Sequence, residues 1–317
     1  MTQTETYSAY GALTSPEAIT AGLGEVGYIS TPDISMAVYL AQNLRKPILI
    51  EGPAGVGKTD LARSLSEWLD VPLARLQCYE GLDESKALYE WKYGKQLLYT
   101  QILKDRLNEV LGEGDLSALT GKLGEFEDLF FSPQFLEPRP LLRAMQQAEG
   151  SVLLIDEVDK ADEAFEAFLL EVLSDYQVTV PELGTIRAQV PPIVVLTSNA
   201  VRELGDALKR RCLHLHIGFP DAARERAIVG ARVPGIEESL LKQLVSFVQA
   251  LREEDLRKQP SIAETVDWAR ALTLLHVEAL GEEMVRQTLN VLLKYESDIA
   301  ALENRVGSLT RAAVNAP

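Results

Sequence analysis

"EGPAGVGKTD", residues 51–60, contains the pattern Gly-x-x-x-x-Gly-Lys-Thr from Gly52 to Thr59. Glycines at this spacing permit the tight backbone turns that aim successive N–H groups at phosphate oxygens. A helix that begins at the end of the loop adds its positive dipole. Lys58 is then expected to reach the β- and γ-phosphates, and Thr59 to offer its hydroxyl to Mg²⁺. The flanks fit this reading. "ILIE" (48–51) is a short apolar strand, and "TDLARSLSEWLD" (59–70) has helical spacing. Strand, glycine loop and helix form the start of a parallel α/β sheet. The loop alone does not say whether the phosphates serve a small-molecule kinase, a signalling switch or a motor.

Reading outward, "TPDISMAVYLAQNLRK" (31–46) places Ile34, Val38, Ala41 and Leu44 on one helical face, and Pro47 stops it. Further strands are expected at "LARLQC" (73–78), "SVLLIDE" (151–157), "PIVVLTSNA" (192–200) and "CLHLHIGF" (212–219). Segment 82–149 reads as mostly helical, with breaks at "GEGD" (112–115) and "SPQFLEPRP" (132–140). "AFEAFLLEVLSDY" (164–176) is amphipathic, and "QVTVPELGTIRAQV" (177–190) reads as a hairpin turning around Glu182–Gly184. Apolar strands separated by helices imply a parallel sheet covered on both faces. After Pro220 the strand pattern ends, and 221–232, 236–257, 261–280 and 282–302 read as helices. The expected organisation is a loose lead-in at 1–24, an α/β core at 25–219, an all-helical domain at 220–305 and a tail at 306–317.

The chain of 317 residues is 46% hydrophobic and 25% charged, ordinary for a folded soluble protein. No apolar run approaches the roughly 18 residues of a membrane span. The start "MTQTETYSAYGALTSPEA" lacks the basic and apolar blocks of an export signal. Cys78 and Cys212 therefore read as reduced cytoplasmic thiols. The formal net charge of −16 argues against nucleic acid as the main partner, because such binding draws on phosphate neutralisation.

Three more motifs carry chemistry. "SVLLIDEVDK" ends an apolar strand in Asp156 and Glu157, at the strand end that faces the ligand crevice of parallel sheets. Asp156 there suits Mg²⁺ held through water, and Glu157 suits a base for an attacking water. Asn199, in "VLTSNA", ends another apolar strand and is read as positioning that water, against the alternative of a turn residue. Arg210 and Arg211, in "GDALKRRC", are either a solvated surface pair or cations that stabilise negative charge on a transferring phosphate.

In the order "GPAGVGKT", "VLLIDEVDK", "TSN", "ALKRRC" and a helical lid, the chain resembles the AAA+ ATPases over about residues 25–300. The stretch "RLQCYEGLDESKALYEWKYGKQLLYTQ" (75–101) resembles the MoxR family, most of all its CoxD-like branch. The resemblance implies an AAA+ P-loop core with a helical lid. It also implies ATP hydrolysis with Mg²⁺ in a self-assembled ring, a hexamer in most relatives, and chaperone-like work on a metalloenzyme client. That client would be a molybdenum hydroxylase of the carbon monoxide dehydrogenase type, with a von Willebrand factor A domain protein as partner. By position, Gly52, Pro53, Ala54, Gly55, Val56, Gly57, Lys58 and Thr59 form the Walker A loop, with Asp60 beside it. Asp156 and Glu157 are the Walker B pair, with Thr59 and Asp156 as the Mg²⁺ side chains. Asn199 is sensor 1, and Arg211 is the finger acting on a neighbour's site, with Arg210 next to it. Segments 80–100 and 177–190 would face the ring's pore. One departure stands out: Ala263 occupies the usual place of the sensor 2 Arg, so either Arg270, two helical turns on, substitutes for it or the sensor is missing.

Rival readings are a nucleic-acid motor, a non-catalytic scaffold that recruits partners, and a small-molecule kinase, for which no acceptor site is evident. His214 and His216 lack a third ligand and read as structural, as do Trp68, Trp91 and Trp268. "REEDLRK" (252–258) reads as a solvated helix face.

Overall fold

The computed structural model describes residues 10–101, 131–181 and 183–316. Five parallel strands make the central sheet, in the order β2 (Leu73–Gln77), β5 (Val152–Asp156), β8 (Ile193–Ser198), β1 (Ile48–Glu51), β9 (Leu213–His216). Burial explains this order. β5 and β8 are buried at every residue and lie inside the sheet, whereas β2 alternates exposed and buried positions and lies at an edge. Within each strand successive residues serve opposite faces. Ile48, Ile50, Val152, Leu154, Ile193 and Val195 join one apolar cluster. Leu49, Leu153, Ile155, Val194 and Leu196 join the other. Period-2 alternation between two covered faces is what makes these strands read as continuous apolar runs.

Parallel strands need crossover connections, and helices supply them. α1 (Pro16–Glu25), α2 (Pro32–Leu44) and α3 (Lys58–Leu69) pack on the first face. α4 (Glu84–Leu88), α5 (Pro140–Met145) and α6 (Glu163–Asp175) pack on the second. α7 (Asp206–Arg211) lies against α6 and leads into β9. The carboxyl ends of β1, β5 and β8 point the same way, so the loops after them share one rim.

Several expectations are corrected. Residues 16–24 of the expected lead-in are helix α1, capped by Ser15, whose hydroxyl accepts from the Ala18 N–H at 3.2 Å. Ile19 and Leu23 are fully buried, and a Cβ on Gly22 would sit 1.8 Å from Trp68. Tyr10 is fixed as well: its hydroxyl accepts from the Ser151 N–H at 2.9 Å and reaches the Pro191 carbonyl at 3.1 Å. A helix of ten residues with two fully buried apolar positions carries too short a periodicity to stand out. The expected tail at 306–317 contains helix α13 (Val306–Val314), with Val306, Leu309 and Ala313 in the core. Among the described residues of segment 82–149, β3 (Tyr89–Trp91) replaces expected helix and pairs antiparallel with β4 (Leu136–Pro138), which lies in the expected break at 132–140. The "GEGD" break lies outside the described residues. The expected hairpin is present, as β6 (Gln177–Val180) against β7 (Gly184–Arg187), with Glu182 outside the described residues.

Beyond Pro220 the described residues are helical and irregular: α8 (Ala222–Arg232), α9 (Glu238–Arg252), α10 (Ile262–Leu274), α11 (Glu282–Leu292), α12 (Glu296–Leu302) and α13. "REEDLRK" is not a helix face, because α9 ends at Arg252; Glu253, Asp255, Arg257 and Lys258 are exposed, but the Arg252 side chain is buried. Its guanidinium meets the carboxylate of fully buried Glu225 through two 2.7 Å bonds. Gln249, Thr265 and the Pro260 carbonyl complete the network. Trp268, also fully buried, donates to the Thr288 hydroxyl at 2.8 Å. His214 and His216 are exposed on edge strand β9, and His214 contacts Glu51 at 2.6 Å. Among the described residues no cluster of His, Cys, Asp or Glu could hold a metal by itself, and no helix is long and apolar enough to cross a membrane.

The Glu225–Arg252 pair sets a stability prediction. Removing one member leaves the other charge buried without a partner, which costs about 3–5 kcal/mol. Arg252→Ala is expected to lower the unfolding free energy by that amount in a urea denaturation series. Arg257→Ala, with its guanidinium over the Tyr295 ring, is expected to change that free energy by less than about 1 kcal/mol.

Candidate functional site

The glycine loop, the end of β5 and the end of β8 surround a cavity of about 620 Å³ that α8 and α10 close from the other side. Two glycines make the loop possible. Gly52 lies against the Ile217 carbonyl, where a Cβ would come within 2.0 Å of the oxygen. Gly55, at φ +74°, lies under the first turn of α10, where a Cβ would sit 2.5 Å from the Ser261 side chain. Both positions exclude a side chain on steric grounds.

Lys58 opens α3 and is buried within the loop. Its ammonium donates to the carbonyls of Gly52 (2.6 Å) and Pro53 (2.7 Å) and to Oδ1 of Asn199 (2.8 Å). Burial pushes the Lys58 pKa below the ordinary lysine value, while the carboxylates of Asp159, Asp156 and Glu157 act to raise it. The Thr59 hydroxyl donates to Oδ1 of Asp156 at 3.0 Å.

Asp156 is buried at the end of β5 and joins three elements. Oδ1 also accepts from the Thr197 hydroxyl of β8 at 2.6 Å, and Oδ2 accepts from Arg75 of β2 at 2.6 Å. Glu157 follows with φ 56°, a left-handed conformation uncommon outside glycine. Its N–H donates to Thr197 Oγ1 at 2.9 Å, which fixes that turn. Its carboxylate accepts from Asn199 Nδ2 (3.2 Å), Gln77 Nε2 (2.8 Å) and Lys160 (2.6 Å). Asn199 is placed by Asp159, whose Oδ2 accepts from the backbone N–H groups of Asn199 (3.2 Å) and Val201 (3.0 Å). Asp159 Oδ1 is buried without a hydrogen-bond partner.

The structure thus brings Lys58, Thr59, Asp60, Asp156, Glu157 and Asn199 to one cavity. Ala54, Gly55, Val56 and Gly57 line it too, while Gly52 and Pro53 reach it through Lys58. Arg210 and Arg211 do not line it; both are exposed on α7. The loop before α7 is tied down, since buried Glu166 binds Arg202 and accepts from the Gly205 N–H at 2.8 Å. Ala263 and Arg270 both line the cavity, and Arg270 pairs with Asp267 at 3.4 Å.

Sequence reasoning missed Arg75, Gln77, Thr197 and Asp159. The first two had a signal: polar side chains two residues apart at the carboxyl end of an edge strand share one face. It also missed Tyr28, Ile29, Arg224 and Arg232, which form the far end of the cavity. Arg224 donates to the Ile29 carbonyl at 3.1 Å, and Arg232 pairs with Asp60. Six basic residues line the cavity (Lys58, Arg63, Arg75, Arg224, Arg232, Arg270) against four acidic ones (Asp60, Asp156, Glu157, Asp267). In a chain of net charge −16 this is a local reversal of sign, suited to an anion.

Thr197 joins both carboxylate-bearing residues and gives a direct test. Thr197→Val keeps the shape and removes the hydroxyl, leaving the Glu157 N–H without its partner. The expected loss is about 1–3 kcal/mol in a urea denaturation series.

The family of the AAA domain (dynein-related subfamily), AAA_5, matches residues 47–212, from the start of β1 to the start of β9. An uncharacterized protein of Staphylococcus aureus strain bovine RF122 / ET3-1 is 27% identical over 277 residues, 83% of this chain and 90% of that protein. One from strain COL of the same organism is also 27% identical, over the same shares. Among solved structures, a point mutant of Thermotoga maritima RuvB aligns with a TM-score of 0.46 at 16% identity, covering 88% of this chain and 70% of that one. The Thermotoga maritima RuvB Holliday junction branch migration motor aligns at 0.43 and 15%, covering 88% and 72%. With that family spanning the loop, both carboxylates and Asn199, the chain belongs to the AAA_5 family of AAA+ P-loop nucleotide-binding proteins.

Proposed function

We propose that the chain is an ATP-hydrolysing AAA+ protein of the MoxR type. The observation that carries the reading is the convergence, in one cavity, of a phosphate-binding lysine, a half-buried Thr59–Asp156 pair and a carboxylate held by Asn199. The donor set fits Mg²⁺: one carboxylate oxygen and one hydroxyl 3.0 Å apart are hard oxygen ligands, and phosphate oxygens and water complete such a site. When bound, Mg²⁺ supplies the positive charge that neutralises the phosphate oxygens during transfer.

The chain's own residues then divide the work. Lys58 and the loop N–H groups bind phosphate. Glu157 takes the proton of the attacking water, and Asn199 orients its carboxylate. Arg270 reaches the same cavity from α10 and takes the sensor 2 place that Ala263 leaves. Arg211 serves a neighbouring copy's site, with Arg210 beside it, in the ring that AAA+ proteins typically form; the exposure of both on α7 supports this reading. The nucleotide-responsive units are a core of about 25–219 and a lid from 220 that includes α13, with α1 joined to the core. Movement of the lid would act on a protein client in the cytoplasm. Residues 75–101, through their resemblance to the CoxD-like branch, support a metalloenzyme client of the molybdenum hydroxylase type and a von Willebrand factor A domain partner.

Two experiments test the reading. Glu157→Gln is expected to keep ATP affinity and to lose hydrolysis by about 10²–10⁴-fold, measured as phosphate release; unchanged turnover would refute the assigned base. Arg211→Ala is expected to bind nucleotide normally yet hydrolyse slowly. Mixed with an excess of Glu157→Gln protein, it should regain activity, because a good finger and a good base then meet at shared interfaces. Failure of every mixing ratio to restore turnover would remove the finger from Arg211.

A further inference from the structure

Asp156 has a fixed cation that the nucleotide chemistry does not require. Arg75 lies on edge strand β2, and its guanidinium stands 2.6 Å from Oδ2 of Asp156. The opposite oxygen, Oδ1, faces the Thr59 hydroxyl at 3.0 Å and the Thr197 hydroxyl at 2.6 Å. The two sides of one carboxylate therefore have separate duties. Oδ1 belongs to the hydroxyl pair that would hold the metal, and Oδ2 belongs to Arg75. The same Arg75 nitrogen also donates to Oε1 of Gln77 at 2.9 Å, which anchors the guanidinium at that position. The Arg75 side chain is 54% exposed against 6% for Asp156, so the pair is asymmetric: a solvated cation leans onto a buried anion.

We propose that Arg75 is a positioning residue that sets how much Mg²⁺ the nucleotide site requires, by neutralising one oxygen of the metal-binding carboxylate. This rests on the reading of the cavity as an Mg-nucleotide site and deepens it. The sign follows from electrostatics. A guanidinium on Oδ2 withdraws charge from the carboxylate and repels a divalent ion a few ångströms away, so it weakens the metal. It also offsets repulsion between Asp156 and incoming phosphates, so it favours nucleotide without metal. Loss of Arg75 leaves the carboxylate aimed as before, because Thr59 and Thr197 hold Oδ1 independently. Its role is therefore separable from that of the loop.

The test uses the full-length protein and a fluorescent ATP analogue, read by anisotropy as Mg²⁺ is titrated from chelated to excess. Arg75→Gln is expected to lower the Mg²⁺ midpoint by about three- to fivefold, the scale of a half-exposed ion pair. It is also expected to weaken binding in chelator by a similar factor. Arg75→Lys keeps the charge and should return the midpoint to within about twofold of the parent. A midpoint in Arg75→Gln equal to or above that of the parent would overturn the proposal. So would a lysine variant that behaves like the glutamine one, because charge would then not be the cause. A melting curve for each variant checks that the edge strand still folds; should Arg75→Gln not fold, the parent must still show Mg²⁺-free binding that falls with added salt, and its absence overturns the proposal. If the parent protein itself binds no nucleotide at any Mg²⁺ concentration, the function assigned to the cavity fails instead, which is a different result.

Discussion

The rest of the site depends on one buried carboxylate. Asp156 ends the strand at the middle of one half of the sheet, where water is excluded, so its charge must be met by protein groups. Three elements meet it: α3 through Thr59, β8 through Thr197 and β2 through Arg75. Each bond is also a positional constraint on an element that carries another functional group. Thr59 fixes the first turn of the helix that presents Lys58. Thr197 fixes the turn that presents Glu157. The chemistry of the cavity and the registration of its walls therefore have a common cause.

The helices beyond Pro220 complete the cavity rather than merely cover it. Ser261 and Ala263 rest on the loop at Gly55, Arg224 holds the Ile29 carbonyl, and Arg232 pairs with Asp60. Of these contacts, those of Arg224 and Arg232 are polar and part-exposed, which makes them cheap to break and remake. Within the helical unit the opposite holds. Glu225 and Arg252 are bonded to each other and to three neighbours out of reach of water.

Much of this was legible in the sequence. The parallel strands were readable because burial on both faces leaves uninterrupted Val, Ile and Leu. The loop was readable because phosphate geometry leaves few alternatives to Gly52, Lys58 and Thr59. Less legible were residues whose meaning comes from a partner far along the chain. Arg252 sits in a run of charges and looks solvated until Glu225, 27 residues away, is placed beside it. Arg75 and Gln77 look like the polar side of an edge strand until β5 brings up Asp156 and Glu157. Helix α1 and helix α13 were missed for another reason: each is short, and its apolar face is defined by what it packs on.

The three bonds of Lys58 have a thermodynamic consequence. The ammonium already grips two carbonyls of its own loop and the side chain of Asn199. The loop is thus cross-linked by its own cation, and little chain entropy remains to be lost when an anion arrives. What changes is an exchange of acceptors, carbonyl and amide oxygens for phosphate oxygens. An anion that replaced Asn199 on Lys58 would release Oδ1 of that side chain while its Nδ2 stays bonded to Glu157.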